Sequence, residues 1–303
     1  MTQPDTTASP TDPPSADSLA QNSARPGAPA ADTRASETSA IDSTRPHPAR
    51  RYNYWLGGKD NFAADRDSGD EVTKVFPHVA VAARENRAFL QRVVTHLVRD
   101  LGITQFLDIG TGLPTADNTH EIAQRIHPAA RIVYVDNDPL VLVHARALLT
   151  GHPDGQTVYV DADLRNAAAL LQDSQLRATV RWDEPVGLLL IAVLHFLTDA
   201  DEPRRQIRAL IEAMPAGSYV ALSHATSDFF DPDTTAMLAA MAASGAHGPY
   251  RARTREEVEA LVAGLELVEP GIVPVSQWRP DGPDDQVIPP EQTGCYGLLA
   301  RIR

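Results

Sequence analysis

From residue 78 onward the chain alternates between two hydrophobic periodicities. Apolar residues recur at helical spacing through 78–101, with Phe89, Leu90, Val93, Val94, Leu97, Val98 and Leu101 on the repeating positions and Gly102 as the stop. The short apolar run 105–109 then reads as a strand. A helix is expected over 118–126, ending before Pro128, and a second strand over 131–135. Pro139 can open the next helix at its first turn and Gly151 can close it. The β-branched run 157–160 predicts a third strand and 164–172 a helix. The uninterrupted apolar run 186–194 suits a strand covered on both faces. Pro203 opens a helix with Ile207, Leu210, Ile211 and Met214 on its apolar face, and 219–223 predicts a fifth strand. Helices over 234–243 and 255–263 precede two final strands, the first from 265–268 with 272–275 and the second from 296–302. Strands alternating with helices imply a parallel sheet sandwiched by helices. The closing pair, expected to have no helix between its strands, implies an antiparallel edge.

The first 45 residues are different in kind. They hold no aromatic residue, and Leu19 and Ile41 are their only large aliphatics after Met1. Such a segment buries too little apolar surface to offset the entropy of ordering, so 1–45 is expected to be a disordered tail and 46–303 one domain. No run reaches the roughly 18 apolar residues that span a bilayer. The net charge of −13 argues against nucleic acid as a partner, because phosphate binding needs a basic face. The single cysteine, Cys295, cannot close an internal disulfide, which fits the cytoplasm.

Candidate chemistry concentrates at the strand ends. Strand 105–109 runs into Gly110-Thr111-Gly112, with Asp108 inside the strand, and strand 131–135 ends in Asp136-Asn137-Asp138. Glycines there allow a backbone to approach a nucleoside closely, and a carboxylate at the neighbouring strand tip can accept both ribose hydroxyls. Asp136 lies 28 positions after Asp108, close to one βαβ unit. A dinucleotide-binding turn would carry a third glycine and a helix N-terminus for the pyrophosphate. Pro114 and Asp117 occupy that region instead; one lacks an N–H and the other would repel the pyrophosphate. S-adenosylmethionine carries an ammonium and a sulfonium and no phosphate, so acidic Asp108 suits it. A nicotinamide-dependent oxidoreductase is correspondingly disfavoured. For the adenine, Asp161 and Asp163 are both in reach of the third strand's end; Asp163 with Leu164 is preferred.

These blocks resemble the class I S-adenosylmethionine-dependent methyltransferases, whose seven-stranded Rossmann-like sheet has the order 3-2-1-4-5-7-6. A narrower resemblance, to a bacterial S-adenosyl methyltransferase family of undefined substrate, rests on 51–65 (RYNYWLGGKDNFAAD), 108–115, 135–139, 162–165 and 193–196. It implies an α/β fold and S-adenosylmethionine as cofactor. In block 51–65, aromatics beside polar residues and paired glycines suggest an N-terminal helical lid within 46–100, with Tyr52, Tyr54, Lys59 and Asn61 toward the cofactor. The other reading is a helix pair packed on the sheet edge.

Methyl transfer depends chiefly on alignment, and a neutral nucleophile gains from a base. His195, after the fourth strand, and His224, at the end of the fifth, are the candidates. His195 could equally be a packing residue. The remaining histidines lack metal-ligand spacing. A small-molecule acceptor is expected, and the alternative is a protein that binds the cofactor without catalysing.

Overall fold

The computed structural model describes residues 41–148, 151–281 and 287–303. The expected tail 1–45 therefore lies outside the described residues as far as position 40. Residues 41–45 are described and exposed, yet Arg50 Nη1 donates to the Asp42 carbonyl at 2.7 Å.

Eight strands form one sheet: β1 (Gln105–Ile109), β2 (Arg131–Asp136), β3 (Gln156–Asp161), β4 (Gly187–Ile191), β5 (Tyr219–Ala225), β6 (Glu266–Leu267), β7 (Val273–Pro274) and β8 (Cys295–Arg301). Their order is β3-β2-β1-β4-β5-β8-β6, with β7 also paired to β8. Strands β1 to β5 are parallel to their neighbours, and β8 runs antiparallel to β5, as expected. The first of the two final strands is broken. Its pieces pair separately with β8, Glu266 opposite Arg301 and Val273 opposite Gly297, so the sheet counts eight strands along an otherwise expected path. A short helix, Pro290–Thr293, also intervenes before β8 where none was expected.

Three helices precede the sheet: α1 (Pro48–Trp55), α2 (Ala63–Val75) and α3 (Val79–Arg99). After β1 and β2 come α4 (Thr119–Ile126) and α5 (Pro139–Leu148). Period-two alternation in the strands divides the core. Leu107, Ile109, Val133, Leu188 and Leu190 face Leu176, Ile207 and Leu210 on one side. Phe106, Ile132, Tyr134 and Leu189 face the apolar stripe of α3, including Phe89, Val93 and Leu97, on the other. The run 186–194 is thus a strand only as far as Ile191, after which Leu194–Phe196 forms a 3₁₀ turn.

The turn after β1 depends on Gly110. Its φ is 76°, and a Cβ there would fall 2.4 Å from Cγ2 of Val193. Left-handed backbone and a hard contact act together, so Gly110→Ala is expected to lower unfolding free energy by about 2–5 kcal/mol. Urea denaturation checks this, and an unchanged midpoint would show that the turn rearranges freely.

Candidate functional site

The carboxyl ends of β1, β2 and β4 open into a cavity of about 480 Å³, a typical size for a ligand site. Asp108, Gly110, Thr111, Gly112, Asp136, Asn137, Asp163, Leu164 and Tyr52 all line it, and Asp161 does not. Asp136 is buried and accepts backbone N–H bonds from Gly112 (2.8 Å) and Asp138 (2.9 Å). Burial still pushes its carboxyl up. Asp108 accepts from Thr119 Oγ1 at 2.6 Å, and burial raises it to about 6. Neither carboxylate forms an ion pair among the described residues. Two desolvated acceptors of this kind call for a ligand that brings hydroxyl donors and positive charge. Asp163 is already engaged, accepting from Asn137 Nδ2 (3.0 Å) and from the Arg165 backbone N–H (2.8 Å).

Helix α1 forms the opposite wall, fastened to the tip of β2. Arg50 Nε and Nη2 donate to Asp138 Oδ2 (2.9 Å) and Oδ1 (2.8 Å), and His47 Nδ1 lies 3.1 Å from Oδ2. Burial would raise the Asp138 carboxyl, but His47 and Arg50 outweigh it and hold it below the usual range. The sequence offers no sign of this pairing, since its partners are far apart in the chain.

Three residues expected at the cofactor are elsewhere. Tyr54 follows Tyr52 by two positions, about 200° around a helix, so both cannot face the cavity. Its hydroxyl donates to Asp70 on α2. Asn61 Nδ2 donates to Asn53 Oδ1 (2.9 Å) and the Gly58 carbonyl (3.0 Å), which stabilises the turn after α1. Lys59 is exposed on that turn and lines no cavity described. Asn53, buried and lining the cavity, stands in their place.

A second cavity of about 160 Å³ adjoins the first and shares the wall of Tyr52, Asn86, Ala192 and Phe196. A continuous chain of hydrogen bonds holds this wall. Tyr52 Oη donates to the Ala83 carbonyl (2.8 Å) and accepts from Asn86 Nδ2 (3.0 Å). Ser223 Oγ donates to Asn86 Oδ1 (2.6 Å) and accepts from the Ala192 N–H (2.9 Å). Ala192 itself has φ of 53°, so strained backbone sits between the cavities.

The two candidate bases fare differently. His195 lines the second cavity, but its Nδ1 accepts from the Ala225 N–H at 3.4 Å, which assigns the proton to Nε2. Burial, then His224 and Arg253, drive its pKa well below the ordinary value. His224 lines neither cavity. Its Nδ1 donates to the Ala225 carbonyl (2.8 Å) and Nε2 accepts from Arg253 Nη1 (2.9 Å). With both ring nitrogens engaged and burial lowering its pKa to about 3, His224 braces the turn and cannot serve as a base.

A parallel sheet of this order, with buried carboxylates at the carboxyl ends of its strands, is the fold of the class I S-adenosylmethionine-dependent methyltransferases. The sequence profile of the S-adenosyl methyltransferase family matches residues 34–303, and the chain belongs to that family. Its cofactor is S-adenosylmethionine. A DUF574 family protein of Streptomyces avermitilis is similar at 44% identity and TM-score 0.83, over 87% of this chain and 100% of that one. A Thermobifida fusca protein, assigned provisionally to the methyltransferases, is 39% identical with TM-score 0.79, over 87% and 97% of the two chains. No curated protein matches. No described helix is long and apolar enough to cross a membrane.

The raised Asp108 carboxyl has a stability consequence of definite sign. The ordinary value is 3.8, and the folded protein holds the proton up to about 6. Between those values the folded state binds more protons, so its stability falls as pH rises. Relative to Asp108→Asn, the wild-type protein is expected to lose about 2 kcal/mol between pH 4.5 and 7.5 without ligand. Parallel urea titrations measure the difference, and equal pH dependence would refute it.

Proposed function

We propose that the protein methylates a small molecule seated in the second cavity while S-adenosylmethionine occupies the first. The observation that carries this reading is the shared wall, which places an apolar compartment directly beside the carboxylate-lined cleft. In this reading Asp136 accepts the ribose hydroxyls and Asp108 faces the ammonium. Asp163 and Leu164 border the adenine with Asn137, while Gly110, Thr111 and Gly112 keep the backbone close to the methionyl part. Tyr52 belongs to the wall nearest the transfer. The bound cofactor supplies an electrophilic methyl group on a sulfonium.

The protein's own contribution is alignment and exclusion of water. Arg50 clamps α1 over the cleft, and the Tyr52–Asn86–Ser223 chain fixes the wall across which the reactants meet. His195, held neutral by burial, contributes shape to the acceptor compartment.

Calorimetry with S-adenosylhomocysteine tests the assignment. Asp136→Ala is expected to weaken binding by about 2–3 kcal/mol through loss of charge-assisted hydrogen bonds. Preference for NAD over S-adenosylhomocysteine would defeat the reading. Arg50→Met leaves Asp138 buried without its bidentate partner, and is expected to cost about 3–5 kcal/mol of folding stability. Differential scanning calorimetry checks that loss; wild-type stability would show that α1 is held by other contacts.

A further inference from the structure

The second cavity is lined by a buried cation that forms no ion pair among the described residues. Arg51 lines this cavity and not the cofactor cleft, and its side chain is 5% exposed. Nη1 is engaged, donating to Ser68 Oγ (3.0 Å) and the His247 carbonyl (2.5 Å). Nε is buried and has no hydrogen-bond partner among the described residues. Asp65 is the nearest opposing charge on the adjoining helix. Its oxygens instead accept from the backbone N–H groups of His47 (2.8 Å) and Phe62 (2.9 Å), and it forms no ion pair with Arg51 among the described residues. Burial lowers the guanidinium to about 10, so it remains charged at neutral pH. A buried guanidinium without an ion-pair partner is costly, and a ligand anion in the cavity that Arg51 lines would offset its charge.

The rest of the cavity describes what carries that anion. Trp55, Phe76, Phe196, Phe230 and Tyr250 stand around the space with Tyr52, and flat aromatic walls favour a planar ring. At about 160 Å³ the space is close to that of an apolar cavity that takes benzene, so it has room for one ring. Arginine's planar fork suits a carboxylate.

We propose that the methyl acceptor is a single-ring aromatic carboxylate whose carboxylate pairs with the Arg51 guanidinium. The group to be methylated then lies at the far end of the ring, toward the wall of Tyr52, Asn86, Ala192 and Phe196. This rests on the second cavity being the acceptor compartment.

The test uses full-length protein saturated with S-adenosylhomocysteine and titrated calorimetrically with 4-hydroxybenzoate or 4-hydroxybenzamide. The carboxylate is expected to bind at least about tenfold more tightly than the amide. Arg51→Met is expected to abolish that preference while S-adenosylhomocysteine affinity stays within about twofold of wild type. Arg51→Lys, which keeps the charge and loses the fork, is expected to retain part of it. Equal affinity of acid and amide for wild-type protein overturns the proposal, whatever the variants do. So does the absence of binding by either compound while S-adenosylhomocysteine binds normally. Failure of S-adenosylhomocysteine itself to bind would instead bring down the cofactor assignment, and this proposal with it.

Discussion

Burial of negative charge at the tips of two adjacent parallel strands is the constraint on which this structure turns. Asp108, Asp136 and Asp138 are all buried, and among the described residues only Asp138 of the three has an ion-pair partner. A fully countered cluster would be a structural ion network with nothing left for a ligand. The division of labour instead ties α1 to the sheet through one carboxylate and leaves two to be satisfied from the cleft. Asp108, raised by desolvation with one hydroxyl as partner, shows what that costs the empty protein. The stability lost there is available as binding free energy for a cationic ligand.

Much of the architecture was readable from the chain because it depends on local rules. Strands buried on both faces announce themselves as apolar runs, and Gly110 and Gly112 mark where backbone must turn left-handed after β1. The acidic tips followed from the same local reading. What could not be read were relations between distant residues. Arg50 meets Asp138 across 88 positions, and Ser223 meets Asn86 across 137, and neither spacing leaves a periodic trace. Tyr54 and Asn61 went astray for a simpler reason. Near an aromatic, glycine-rich stretch, composition says that a surface is special but not which face of the helix carries it. His224 illustrates the opposite error: its position at a strand end resembled that of a reactive group, while its two neighbours in space had already used both ring nitrogens.

The loop after β4 supplies one wall of the aromatic compartment, through Ala192, His195 and Phe196. Ala192 adopts a left-handed backbone that a Ser223 hydroxyl holds in place, and the 3₁₀ turn at Leu194–Phe196 follows directly. Arg253 pins that turn by donating to the carbonyls of Leu194 (3.1 Å) and Leu197 (3.0 Å). A side chain from the distal third of the sequence therefore shapes a compartment whose opposite wall comes from residues near position 50.

Arg50 and Arg51 are consecutive on α1, about 100° apart around its axis, and each addresses a different cavity. A single rigid element is thus in contact with both ligands' compartments at once. Eight residues of helix thus stand in the walls of both chambers, so in the proposed function one clamp, Arg50 on Asp138, sets the position of the helix for both ligands.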